Sequence, residues 1–274
     1  MYPFLHLFGR YIATYYVCAA TAGIVGFLLA AFTLRKKLPG AGRWILPLIT
    51  VVSAIIGARL LNVLINPKGY GEGFRAWSLQ YKNLSLMGGL ATGILAILTF
   101  CLLARKDPRG ILDAFVLPAA SGIVILKIGC FLNGCCGGKS TKVPWGVEFP
   151  GNKNTTPVFD PLHIIVPSKN IVHPTQVYEI IGALIALVLA LVLSRLMKKP
   201  GVSAAAFSGA FAVARWIVLP FRALSYPKYV IHILYPILYG SVALLCLAFV
   251  LWSARRRHVD TTEVGISSRK LDCQ

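Results

Sequence analysis

The chain has 274 residues, of which 57% are hydrophobic and only 14% charged. A soluble domain carries about 25% charged residues, so this chain cannot cover its own surface; a water-soluble globule, a disordered chain and a coiled coil are excluded and a polytopic membrane protein remains. The 28 Lys+Arg against 9 Asp+Glu give a net charge of +19, and because the cations lie between apolar runs they point to membrane topology and anionic lipid, not nucleic acid.

Taken in chain order, apolar runs of about 20 residues predict seven membrane helices: 11–33, 44–65, 86–104, 111–133, 176–194, 202–221 and 231–253. The expected fold is an all-α, seven-helix bundle. Short basic segments follow the first, third, fifth and seventh runs: Arg35, Lys36, Lys37 and Arg43; Arg105, Lys106 and Arg109; Arg195, Lys198 and Lys199; Arg255, Arg256 and Arg257. With seven spans all four fall on one side, which the positive-inside rule makes the cytoplasm. The N-terminus is then outside and the C-terminus cytoplasmic. Residues 1–257 are expected to form one membrane domain. Residues 137–175, polar and rich in Gly and Pro, form an external loop or cap, and 258–274 form a disordered cytoplasmic tail.

Three cations fall inside the predicted spans: Arg59, Lys127 and Arg215. Each costs about 2.5–3.5 kcal/mol at a helix centre, so each needs an anion or a wet cavity. Glu179, just inside the outer end of the fifth span, is the one well-placed carboxylate, while Asp113 starts the fourth span near the cytoplasm. Positive charge is left over, and a phosphate completes the site. Arg222 lies seven residues after Arg215, about two turns along the same face and at the outer interface.

The seven cysteines are too widely spaced for a secreted disulfide framework, but Cys130, Cys135 and Cys136 cluster at the outer end of the fourth span. Their spacing, C-x4-C-C, is not a standard zinc pattern and no histidine is near, so no metal is expected. The readings left open are a disulfide on the oxidising side, a nucleophile sharpened by Lys127, and small-residue packing.

Four strings carry more than composition. They are Gly57-Ala58-Arg59-Leu60-Leu61-Asn62 running on to Asn66-Pro67, Ser85-Leu86-Met87-Gly88-Gly89, Lys127-Ile128-Gly129-Cys130-Phe131-Leu132-Asn133-Gly134-Cys135-Cys136, and His173-Pro174-Thr175-Gln176-Val177-Tyr178-Glu179 with the later Arg215 and Phe221-Arg222. In order, spacing and membrane setting they resemble the prolipoprotein diacylglyceryl transferase family. The string 173–179 is close to that family's His-Pro-Ser-Gln-Leu-Tyr-Glu, and 129–136 resembles a cysteine-bearing branch of its signature. The resemblance implies a multi-pass protein of the bacterial cytoplasmic membrane. It implies transfer of the diacylglyceryl group of phosphatidylglycerol to a cysteine thiol, with glycerol phosphate leaving and a thioether formed. The chain departs from the pattern where Lys127 replaces Arg, Cys130 replaces Asn, Cys135 replaces Glu and Met87 replaces the His of His-Gly-Gly. The acceptor is therefore open between a lipoprotein cysteine and another lipid or protein. Non-catalytic phospholipid binding or transport on the same fold is the alternative reading.

The chemistry needs a gripped phosphate, a deprotonated nucleophile and an in-line carbon. Lys127, Arg215 and Arg59 suit the phosphate, with Arg222 at a headgroup. Asn133 suits phosphate or glycerol oxygens. Gly88, Gly89, Gly137 and Gly138 permit close backbone approach to a headgroup or serve helix packing, and Gly134, beside Asn133, is a further substrate-binding candidate. His173 and Glu179 are the candidate bases, although Glu179 fits better as the group that orients a cation such as Arg215. Gln176 and Tyr178 are placed to hold the lipid glycerol. No cofactor is expected.

Overall fold

The structure is a computed structural model that describes residues 4–7, 10–65, 85–149, 171–224 and 226–271. Asn66-Pro67 and positions 150–170 of the expected external cap lie outside the described residues. Eight α-helices account for most of what is described: α1 (Thr14–Leu34), α2 (Gly42–Ile65), α3 (Leu86–Leu103), α4 (Pro108–Ala114), α5 (Val116–Asn133), α6 (Thr175–Met197), α7 (Val202–Val218) and α8 (Tyr235–Leu271). A 3-10 turn, Leu219–Phe221, follows α7, and a π turn, Val230–Leu234, leads into α8. Among the described residues, six helical stretches, with α4 and α5 taken as one, are long and apolar enough to cross a membrane, and α3 supplies a shorter apolar one. Large side chains such as Leu28, Ile185, Val188, Leu244 and Leu245 are exposed on the outside of the bundle. Such a surface suits hydrocarbon, not water.

Small residues set the helix contacts. Ala183, Ala186 and Ala190 line one stripe of α6 and are fully buried against Val116, Ala120 and Ile123 of α5 and Ala206, Phe207 and Phe211 of α7. Between lipid-facing helices there is no hydrophobic gain from association, so close van der Waals packing of small residues must hold the bundle. The α2–α3 pair shows this most sharply. A Cβ on Gly88 would lie 2.2 Å from the Gly57 carbonyl oxygen, and one on Gly57 would lie 2.0 Å from Thr92 Oγ1. Thr92 itself donates to the Ser53 carbonyl across the pair at 2.8 Å.

The predicted span 111–133 is broken at Phe115, between α4 and α5. Pro118 explains the break: it has no N–H to give to the carbonyl of Ala114, and its ring crowds that carbonyl. Thr33 of α1 takes up the freed group, donating from Oγ1 at 2.8 Å. Asp113, in α4, caps a different helix. Its two carboxylate oxygens accept from the backbone N–H groups of Gly201 (2.7 Å) and Ala204 (2.8 Å) at the start of α7. That is a carboxylate at the positive end of a helix, supplied from elsewhere in the chain.

Three expectations need correction. The fold is not purely helical, because β1 (Phe4–Leu7) pairs antiparallel with β2 (Arg10–Ala13) and β3 (Val147–Glu148) with β4 (Ile171–Val172). The first helix accordingly starts at Thr14, not at 11. Aromatic and β-branched residues such as Phe4, Tyr11 and Ile12 favour that hairpin, although hydropathy alone merges its second strand with the apolar run. Finally, α8 carries its helical backbone to Leu271, into the segment expected to be a disordered tail. Extending an existing helix needs no new nucleation, which lets a polar tail continue it.

Candidate functional site

The site is built where α5, α6 and α7 meet, and its centre is the carboxylate of Glu179. Glu179 lies in the second turn of α6 and is 2% exposed. Three cations converge on it. Lys127 of α5 reaches Oε2 with Nζ at 2.5 Å, Arg215 of α7 reaches the same oxygen with Nη1 at 2.7 Å, and Arg222, just beyond the 3-10 turn, reaches Oε1 with Nη1 at 3.1 Å. Among the described residues, one carboxylate against three cations leaves the cluster with two positive charges in excess. Coulomb forces among like charges so close are strong away from water, so the arrangement is suited to a second anion. Arg215 is further held by Tyr239 of α8, which accepts from Nη2 at 3.2 Å and presents its ring to the guanidinium.

Several buried polar atoms at this site have nothing to bind. Asn133, the last residue of α5, is 1% exposed, and neither its amide nitrogen nor its oxygen has a hydrogen-bond partner among the described residues. The same holds for Oε1 of Gln176 and Nε of Arg215. Buried polar groups are almost always paired, and an unpaired one costs about 1–3 kcal/mol. Four such atoms on three neighbouring helices mark a place where a polar ligand belongs.

The loop after α5 closes the site from above. Gly134 adopts the left-handed conformation (φ +71°), the N–H of Cys135 bonds the carbonyl of Cys130 at 3.0 Å, and the N–H of Gly134 bonds that of Phe131 at 3.2 Å. This is a Schellman cap, which glycine permits because it lacks a Cβ. It turns the chain back so that Cys135 lies over Cys130. Cys136 follows with a left-handed φ of +63°, and the sulfurs of Cys130, Cys135 and Cys136 all lie within 4.8 Å of one another. Hydrogen bonds from the Cys130 and Cys135 thiols, helped by the nearby Lys127 and Arg222, hold the Cys136 thiol well below the ordinary range. All three are free thiols in the structure. Beyond them, residues 138–140 are pinned between two segments. Gly138 bridges to Arg222 and Ser140 to Val172, and Gly138 N–H donates to the His173 carbonyl at 2.9 Å. A Cβ on Gly138 would lie 2.6 Å from Phe221 O and 2.7 Å from His173 Cβ, so glycine is required there.

His173 lies at the edge of this site. Its Nδ1 is 3.3 Å from the Tyr178 hydroxyl, and its ring packs on Phe221 at 4.9 Å between centroids. Tyr178 also accepts from Trp145 Nε1 at 2.7 Å. Of the residues singled out from sequence, Lys127, Glu179, Arg215 and Arg222 thus meet at one point. Asn133, Gly134 and Gln176 lie around the loop above it, and His173 and Tyr178 form an aromatic cluster beside it. Arg59 is buried on a different helix, α2, one turn before Asn62, whose amide donates to the Tyr226 hydroxyl at 3.2 Å. Gly88 and Gly89 serve the close approach of α3 to α2, which is the packing side of their two readings. Gly138, read from sequence as permitting close backbone approach, meets Phe221 and His173. Sequence reasoning missed Tyr239, which carries no sequence signal of its own. It also passed over Thr175, whose hydroxyl donates to the Cys136 carbonyl at 2.8 Å; its place inside the string 173–179 was a signal for it.

The family model described as prolipoprotein diacylglyceryl transferase matches residues 3–254. The chain is similar to proteins named phosphatidylglycerol–prolipoprotein diacylglyceryl transferase. That of Clostridium tetani is 27% identical over 71% of this chain and 76% of its own length. That of Geobacter sulfurreducens is 29% identical over 73% of this chain and 75% of its own. The protein of Cereibacter sphaeroides is 28% identical over 61% of this chain and 58% of its own.

Proposed function

The chain belongs to the prolipoprotein diacylglyceryl transferase family, and we propose that it moves a diacylglyceryl group from phosphatidylglycerol, or a related anionic phospholipid, to the thiol of a lipoprotein cysteine. The observation that carries this reading is the buried cluster of three cations on one carboxylate, with its excess of positive charge. In the reaction the acceptor sulfur attacks the terminal glyceryl carbon of the diacylglycerol unit. The carbon–sulfur bond forms, the bond from that carbon to the phosphate oxygen breaks, and glycerol phosphate leaves with the electron pair. Lys127, Arg215 and Arg222 stabilise the charge that develops on the leaving phosphate. Glu179 holds the three cations in place as a positioning residue. Bound so tightly, it is a poor proton acceptor. His173 is then the base for the acceptor thiol, with Tyr178 fixing its ring. Asn133 and Gln176 supply hydrogen bonds to the glycerol oxygens.

The reading also covers placement. Seven spans, with the N-terminus outside and the C-terminus in the cytoplasm of a bacterial inner membrane, place the cluster and the loop after α5 toward the outer face. The basic segments at Arg35–Lys37, Arg105–Lys106, Arg195–Lys199 and Arg255–Arg257 support that orientation. The test is turnover. Purified protein is incubated with headgroup-labelled phosphatidylglycerol and a peptide carrying the acceptor cysteine, and released glycerol phosphate is measured. Release that depends on the peptide thiol is expected. Binding of lipid with no release would overturn the transfer step and leave phospholipid binding or transport, the alternative that the loss of the family's His, Asn and Glu at Met87, Cys130 and Cys135 favours.

A further inference from the structure

The three cysteines have no role in the mechanism above, yet the fold brings them together with care. Cys130 is the fourth residue from the C-terminal end of α5 and is buried, whereas Cys136 is exposed. The Schellman cap places Cys135 over Cys130, as it does for any pair at those two positions. Nothing in that cap requires Cys136 to join them. It does so through a left-handed backbone that a residue with a Cβ adopts only at a cost. The loop that carries it is also fixed from outside. Gln176 Nε2 donates to the Cys135 carbonyl at 2.6 Å and Thr175 Oγ1 to the Cys136 carbonyl at 2.8 Å, and both donors are 1% exposed.

We propose that Cys130, Cys135 and Cys136 form a binding site for one soft, thiophilic d10 cation, of the class of Zn2+ or Cu+. Thiolates bound at about 2.3 Å to a single tetrahedral ion lie about 3.8 Å apart. The observed separations, all within 4.8 Å, need a closure of no more than about 1 Å, which small side-chain rotations supply. Soft thiolate ligands select these ions over oxygen-seeking ones. A disulfide uses two sulfurs and leaves the third without purpose; a metal uses all three. The backbone anchors from Gln176 and Thr175 do for the ligand loop what outer partners do for metal ligands generally, which is to hold them in register. Cys136, being exposed, gives the ion its route in and leaves a coordination position facing outward. Binding displaces the thiol protons, which pass to solvent, and involves no change of oxidation state. The sequence spacing alone gave no sign of this, because the site depends on left-handed backbone at Gly134 and Cys136, not on a C-x2-C repeat.

The test uses full-length protein purified in detergent without a histidine tag, reduced, stripped with chelator and then loaded with Zn2+ or with Cu+ under anaerobic conditions. Native mass spectrometry counts the metal, and alkylation followed by peptide mapping reads each cysteine. One equivalent of one of these ions should survive desalting, and it should slow alkylation of Cys136 at least tenfold. Cys136→Ser, at an exposed position where serine fits, should lose the bound ion, and Cys135→Ser should do the same. Cys246→Ser, remote from the loop, should keep it. Size-exclusion elution checks that each variant is folded. Should neither ion be retained by folded wild-type protein, the proposal is wrong. Equal retention by Cys136→Ser and wild type would place the metal elsewhere and also overturn it, as would a disulfide within the trio that resists the reductant.

Discussion

Two carboxylates on the bundle's helices make the useful contrast. Asp113 accepts two backbone N–H groups at the start of α7, and there its work ends. Glu179 draws in three cations from three segments and is outnumbered by them. One acid is matched to its partners and reads as structure. The other anchors an excess of charge and, with amide atoms on Asn133 and Gln176 that are unpaired among the described residues, reads as a place for a ligand. An acid in a membrane protein is thus not diagnostic in itself; what distinguishes the two is whether their surroundings are already neutral and fully hydrogen-bonded.

The largest expected effect that would break this contrast is at Arg215. Arg215→Ala removes a guanidinium that touches both Glu179 and Tyr239. Loss of a charge-assisted contact in the site is worth about 1.5–3 kcal/mol, and Arg215 is held to two partners there, so turnover of phosphatidylglycerol should fall about a hundredfold. Lys228→Ala, at an exposed position, should leave turnover unchanged. Equal losses in the two variants would make Arg215 no more than a fold determinant.

Next in size is Lys127. One charge-assisted contact in a dry site is worth about 1.5–3 kcal/mol, or roughly ten- to a hundredfold in rate. Lys127→Met should lose that much turnover and Lys127→Arg should keep most of it, with both eluting as monodisperse protein. Full turnover in Lys127→Met would contradict a phosphate held by the cluster's excess charge.

On the other side of the comparison, Asp113→Asn keeps the shape of the cap but removes its charge. A thermal-unfolding scan should show a loss of about 0.5–2 kcal/mol, while turnover per folded molecule stays as in wild type. A fall in turnover with unchanged stability would erase the distinction between the two acids. The smallest effect expected is at Tyr178. Tyr178→Phe removes the hydroxyl that meets His173 and Trp145, and turnover should drop a few-fold with a displaced pH profile, because the His173 ring loses its orienting contact. An unaltered pH profile argues that His173 is not the base.

The helices were largely readable in advance, and so was the pairing of Glu179 with a buried cation. The runs 44–65, 86–104 and 202–221 match α2, α3 and α7 with its 3-10 turn to within a few residues, because membrane burial makes hydropathy the dominant signal. Glu179 was findable because few acids were available to partner Arg215 and Lys127. What was not readable depends on contacts distant in sequence. Arg222 was assigned to the outer interface, but the 3-10 turn after α7 swings it onto Glu179. Gly88 and Gly89 were open between headgroup and packing, and only the approach of Gly57 to Gly88 and of Ala54 to Gly89 shows their use in packing. The gathering of three sulfurs needed a cap and a left-handed residue in succession, which no periodicity reveals.

The central claim is that the Glu179 cluster binds a phosphate through its excess charge. The most direct measurement is equilibrium binding of two lipids to purified protein, phosphatidylglycerol and the neutral diacylglycerol with the same acyl chains, in wild type and in Lys127→Met. Wild type should prefer phosphatidylglycerol, and Lys127→Met should weaken that lipid at least tenfold while diacylglycerol binding stays constant. Equal affinity of wild type for both lipids, or a preference that survives Lys127→Met intact, would contradict it.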